Sequence, residues 1–234
     1  LKKYTEKYYL TQKSKYLSRH IEVSILEDSS SMFESEYEVE IDENHEEIIS
    51  EVKRFKEKVE DRSEFESMVP IFNRNFSGLD VKNHGFFPLI YVDDSTLKEV
   101  VKVSPVPLNE GERDFVNDLK LFLDQNPDYT EDKKLYLLRN PSRKGVGFFG
   151  ETNNFYPDFI LWQVIGEKQY LSFIDPKGLR NMDGIWKHPK VDLHKTIKSE
   201  FQARLEDKNT FLNSFIVSNT SFRTLQYRFS DDGD

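Results

Sequence analysis

The second half of the chain is written in short apolar runs that are too brief for helices and too closely spaced to belong to separate domains. Residues 135–138, 155–164 and 170–174 are such runs, and their length and their β-branched and aromatic content predict strands. A segment with helical spacing follows at 191–205, and then a further strand-like run at 211–217. Upstream, Asn109 fits a helix N-cap, with Glu112 three residues on as in a capping box. Phe115, Val116, Leu119, Phe122 and Leu123 add an apolar stripe, so a helix is predicted over about 109–124. The order is helix, three strands, helix, strand. Such elements bury their apolar sides most readily as a mixed sheet with helices on its faces.

The first half reads differently. Residues 34–42 (ESEYEVEID) alternate acids with Ser35, Tyr37, Val39 and Ile41, the period of a strand with one solvated face. Ile48, Ile49, Val52, Phe55 and Val59 then recur at helical spacing between charges, which predicts an amphipathic helix. After Pro70, Gly and Asn punctuate an irregular stretch before a strand-like run at 86–92. Residues 101–107 (VKVSPVP) hold two prolines, which discourage a helix or a central strand there. We therefore expect an α+β accessory module over 1–100 and a second domain over 101–234.

The net charge of −9 argues against a polyanionic partner until its distribution is considered. Ten acidic residues and no Lys or Arg lie within 27–47, whereas 133–204 holds 13 Lys and Arg against seven Asp and Glu. The acidic run is expected to be a solvated face, and the basic half to be the one that meets an anion. There is no Cys, and the five His lack metal-ligand spacing, so any metal must be held by oxygen. No stretch approaches the roughly 18 apolar residues that would span a bilayer. A cytoplasmic location is expected, and the initial Leu suggests a piece of something longer.

The chemistry concentrates in the strand pair. Asp158 follows Pro157 at the start of one run, and Asp175-Pro176-Lys177 closes the next. Residues i and i+2 of a strand project from one face, so Asp175 and Lys177 point together. A hairpin turning at Gly166-Glu167 would bring Asp158 within reach of the same ion. Two carboxylates, a backbone carbonyl such as that of Pro176, and waters make a hard-oxygen site suited to Mg²⁺. A lysine beside it can steady an attacking water or the charge developing at phosphorus. The competing reading is a strand-end turn carrying a surface ion pair. Glu112 falls on the apolar side of its helix, where it either closes the capping box or serves as a further functional acid.

Pro157-Asp158 and Asp175-Pro176-Lys177, with Glu112 on the preceding helix, resemble the PD-(D/E)xK nuclease superfamily over about residues 105–220. The resemblance implies a restriction-endonuclease-like αβββαβ core within the α/β class, with Glu112, Asp158, Asp175 and Lys177 catalytic. It also implies Mg²⁺, or Mn²⁺ in its place, held by Glu112, Asp158, Asp175 and the Pro176 carbonyl. The expected activity is endonucleolytic hydrolysis of DNA. The phrases LNEGERDFVNDL, FYPDFILW and YLSFIDPKGL further resemble the nuclease end of type III restriction-like helicase–nuclease proteins. That would make the partner a helicase region or subunit in restriction or phage defence, since the sequence holds no P-loop signature of its own. The alternative is a nuclease-like module that grips nucleic acid or a partner without cutting.

Gly145-Val146-Gly147-Phe148-Phe149-Gly150 satisfies G-x-G-x-x-G, but that fingerprint must open a helix, and here another strand-like run follows. A turn beside Arg139, Arg143 and Lys144 is expected instead, with those cations available to phosphates. Arg180, Lys187, His188 and Lys190 surround Trp186 in a basic loop after the second acid, and Lys195 and Lys198 share a helix face. Arg139, Arg143, Lys144, Arg180, Lys187, Lys195 and Lys198 are the candidate nucleic-acid contacts.

Overall fold

The structure, a computed structural model, describes residues 2–17, 36–60, 76–79, 81, 84–85, 89–92, 97–140, 145–149, 154–176, 189–218, 220, 221 and 223. In chain order its elements are α1 (Lys2–Leu17), β1 (Glu38–Ile41), α2 (Glu46–Glu60), β2 (Phe76–Leu79), β3 (Leu89–Val92), α3 (Leu97–Val100), β4 (Val101–Ser104) and α4 (Glu110–Gln125). After these come β5 (Lys134–Arg139), β6 (Phe148–Phe149), β7 (Asn154–Phe155), β8 (Phe159–Ile165), β9 (Lys168–Pro176), α5 (Pro189–Thr196) and β10 (Thr210–Val217). The result is a mixed α/β chain with one four-stranded mixed sheet and several two-stranded ones. Its backbone forms two compact units, Phe33–Tyr129, and Thr130–Asp234 together with Leu1–Met32. None of the helices among the described residues is long and apolar enough to cross a membrane.

In the unit Phe33–Tyr129, β1 turns Val39 and Ile41 inward and leaves Glu38 and Glu40 outside, as the alternation requires. The predicted helix stripe does its work through Ile48, Val52 and Phe55 of α2, which pack with Tyr37, Val39 and Ile41 against buried Ile90, Val92, Leu97 and Val101. Residues 101–104 form strand β4, paired antiparallel with β1 in a two-stranded sheet and so not a central strand, and the prolines at 105 and 107 come only where the ladder stops. The chain then returns to β3, where the Leu108 N–H donates to the Ile90 carbonyl at 2.8 Å. Helix α4 follows with the expected capping box, its Val116 almost fully buried. Phe122, counted in the apolar stripe, is instead 42 % exposed and meets Tyr129 edge-on at 5.0 Å.

The four-stranded sheet has the order β10-β9-β8-β5. β8 and β9 form a hairpin closed by Gly166-Glu167, with Ile165 opposite Lys168, and β5 adds antiparallel on the outer side of β8. β10 lies parallel to β9 on the other flank, which needs a crossover, and the helical segment that begins with α5 supplies it. Leu193 and Ile197, four residues apart on this crossover, are buried as one side of a helix would be, and Leu205, just past the last helical turn, is buried as well. From Ile197 to Phe201 the crossover widens into a π-helical turn and then tightens into a 3-10 turn at Gln202–Arg204. The side chain of Gln202 ends up against the edge of β10 that does not pair with β9.

The expected run 155–164 is not one strand. Phe155 belongs to β7, paired with β6, whereas β8 begins only at Phe159. Pro157 stands at the break, since it has no N–H to give to a ladder.

Candidate metal centre at the end of the sheet

The hairpin register pairs Ile160 with Phe173 and Phe159 with Ile174. Carried one residue further, it sets Asp158 across from Asp175. The Asp158 backbone has not left the sheet at this point, because its carbonyl accepts the Asn140 N–H at 2.8 Å, continuing the β5–β8 ladder. Directly opposed residues of an antiparallel pair present their side chains on one face, with Cβ atoms roughly 5 Å apart. By that extension both acids fall on the face that carries Ile160, Trp162, Leu171 and Phe173, with Asp158 at a bend one residue before the first paired residue, Phe159.

That face is closed near the acids by aromatic packing. Phe148, delivered by the short β6, meets Phe173 edge-on at 4.8 Å and Phe201 of the crossover edge-on at 5.2 Å. Asp175 is only 2 % exposed, and Asp158 is half-buried. Burying a carboxylate is costly unless a cation or hydrogen-bond donors meet it, and facing a second carboxylate across a ladder adds repulsion. A divalent cation between them reverses the sign of that term. The donor set is all oxygen, which suits Mg²⁺ or Mn²⁺ rather than a thiophilic metal.

Asn140 holds the approach to this pair. It is 6 % exposed, and its Nδ2 donates to the carbonyls of Pro157 at 2.7 Å and Val146 at 2.8 Å. Its Oδ1 accepts the Val146 N–H at 2.8 Å. Gly147 lies flat against Tyr156, whose Cε1 would be 2.5 Å from any Cβ placed there. Gly147 thus leaves room for Tyr156, and the described residues pass from there into strand β6 at Phe148 rather than into the helix that the dinucleotide-binding fingerprint needs.

The other candidate residues fall as follows. Glu112 is buried in the unit Phe33–Tyr129, and its Oε2 accepts the Asn109 N–H at 2.9 Å while Asn109 Oδ1 accepts the Glu112 N–H at 3.0 Å. Among the described residues no group of three or more His, Asp or Glu gathers that could hold a metal ion, so the sheet acids stand as a pair. Pro176 ends β9, opposite Val217 of β10, in an internal strand and not at the sheet edge or bulge that a proline suggests. Its missing N–H costs no ladder bond toward β8, because the β8–β9 pairing ends at Phe159 opposite Ile174, two residues short of Pro176. Arg139 is paired with Phe159, the residue after Asp158, so strand alternation turns it to the opposite face from the acids. Lys195 and Lys198 are exposed on the crossover, away from its buried stripe. Lys177, Arg143, Lys144, Arg180 and Lys187 lie outside the described residues, as do Trp186 and His188.

Two polar residues carry no role in the sequence reading: Asn140, just after the run 135–138, and Gln202, one turn beyond Lys198 on the predicted helix. No protein-family model, no curated protein and no solved structure matches this chain.

Proposed function

We propose that this protein is a metal-dependent nuclease that hydrolyses phosphodiester bonds in DNA, with the cutting centre at Asp158 and Asp175. The observation that carries the reading is the hairpin register, which supports placing these two acids side by side at one end of a sheet. The sequence resemblance to PD-(D/E)xK nucleases names the same two residues from independent grounds. A bound Mg²⁺ would supply an activated water and neutralise the attacked phosphate. Asp158 and Asp175 would hold that ion through carboxylate oxygens, with Glu112 and the Pro176 carbonyl the further donors that the resemblance implies. Asp175 is the more buried of the two sheet acids. Lys177 would steady the attacking water or the charge that develops on the phosphate. By the same resemblance the natural partner is a helicase region or subunit of a restriction or phage-defence system.

One observation favours a second reading, in which the domain grips DNA without cutting. Glu112 commits one carboxylate oxygen to its own helix cap, and among the described residues no third acid gathers with Asp158 and Asp175. Incubation of the chain with linear and circular DNA, in Mg²⁺ and in chelator, separates the two. The nuclease reading requires Mg²⁺-dependent cleavage that disappears in Asp158→Ala and Asp175→Ala, while DNA affinity is largely kept because the phosphate grip is spread over many cations. Cleavage at the wild-type rate in either variant would falsify the site.

A further inference from the structure

We infer that Asn140 is a positioning residue for the metal-binding pair, holding the Asp158 carboxylate in register with Asp175; the inference rests on the nuclease reading. The reason lies in what Pro157 removes. A strand entering a sheet is normally fixed by alternating N–H and carbonyl bonds, but the residue before Asp158 has no N–H, and the hairpin ladder begins only at Phe159. The two consecutive carbonyls of Pro157 and Asp158 are instead both taken by one residue. The Asn140 Nδ2 bonds the first at 2.7 Å and its backbone N–H bonds the second at 2.8 Å.

Only a primary amide meets the remaining demands of the site. Nδ2 has a second proton, given to the Val146 carbonyl, and Oδ1 takes the Val146 N–H, which ties the loop leading into β6 to the same point. A carboxylate at 140 would face the Pro157 carbonyl with no donor and would add a negative charge next to two others. A leucine would leave the Val146 N–H and two carbonyls without this partner in a buried place. The network therefore couples the aromatic lid residue Phe148, two residues beyond Val146, to the backbone that carries Asp158.

The test is Mg²⁺ titration by calorimetry on the full chain without DNA, paired with urea unfolding. Asn140→Ala is expected to weaken Mg²⁺ binding by roughly tenfold or more, the usual scale for loss of a residue that orients a ligand. Asn140→Ser, which keeps a smaller donor and acceptor, takes its place if the alanine variant does not fold, with a smaller loss expected. Gln202→Leu is the control, because it removes a part-buried amide network at the far flank of the same sheet and should lower stability without changing Mg²⁺ affinity. Equal Mg²⁺ affinity in wild type and the Asn140 variants overturns the inference while leaving the nuclease reading intact. Absence of Mg²⁺ binding in the wild type itself overturns both.

Discussion

Gln202 and Thr210 are joined by a 2.7 Å hydrogen bond from the side-chain Nε2 to the backbone carbonyl, and Oε1 of the same amide accepts the Leu212 N–H at 2.7 Å. The amide thus stands where a neighbouring strand would, offering one donor and one acceptor to the edge of β10 that no strand among the described residues pairs with. An exposed edge is a template for unwanted pairing, and this side chain covers part of it. Gln202→Leu keeps the volume but leaves a backbone donor and acceptor without this partner. A loss of about 1–3 kcal/mol in urea unfolding is expected. An unchanged midpoint would mean that water replaces the amide at no cost.

The hairpin that opposes the two acids turns at Gly166, whose φ is +56° and around which an added Cβ would meet nothing within 4 Å. The cost of a side chain there is therefore conformational and not steric. Gly166→Ala should lower stability by about 1–2 kcal/mol, and Gly166→Asn by less, because Asn tolerates the left-handed region better. If both variants unfold at the wild-type urea concentration, the turn does not carry the register of the hairpin.

Acid should loosen the entry to β10. The Asp207 carboxyl is held below its ordinary value, first by the hydroxyl of Thr210 and then by the Asn209 N–H, which donates to Oδ1 at 2.8 Å. The folded value lies below the unfolded value of about 3.9, so this contribution is complete above that pH and is lost as pH falls through the folded value. Asp207→Ala should be less stable than wild type at pH 6, and the difference should shrink steadily toward pH 2. A difference that stays constant across that range would show that the carboxyl is not linked to folding.

The elements that depend on side-chain period were legible before the structure. The strands at 135–138, 170–174 and 211–217, the helix after Asn109 and its capping box all follow from spacing alone, because apolar periodicity and cap chemistry act between near neighbours. What stayed hidden depends on partners distant in sequence. The bond from Asn140 to Pro157 spans 17 residues, and those from Gln202 to β10 span eight and ten. The break in the run 155–164 was masked because Phe155 and Tyr156 are as apolar as the strand they precede, although Pro157 marked the missing donor. The face taken by Arg139 needs the register of β5 against β8, and composition placed it only near a basic turn. Glu112 was legible twice over, as cap and as acid, and hydrogen bonding settles the first role alone.

The two members of the Asp175-Pro176-Lys177 motif should separate in their effects, since one belongs to the resting metal site and the other to the reaction. Asp175 is buried on the acid face of the sheet, and Asp175→Asn replaces a charged ligand with a neutral amide of the same shape. Mg²⁺ affinity and cleavage rate should fall together, because an amide is a much weaker partner for a hard cation. On the proposed reading, the ammonium of Lys177 would act on charge that appears only as the phosphodiester bond breaks. Lys177→Ala should therefore lower single-turnover cleavage on the order of 10²-fold or more while Mg²⁺ affinity hardly changes. Lys177→Arg should rescue poorly, because a planar fork does not replace a compact point charge beside a small ion. Calorimetric Mg²⁺ titration and single-turnover cleavage on the three variants decide the matter. If Lys177→Ala cuts at the wild-type rate, the lysine is a surface cation after a strand end, and the DxK spacing that links this hairpin to nuclease chemistry is accidental.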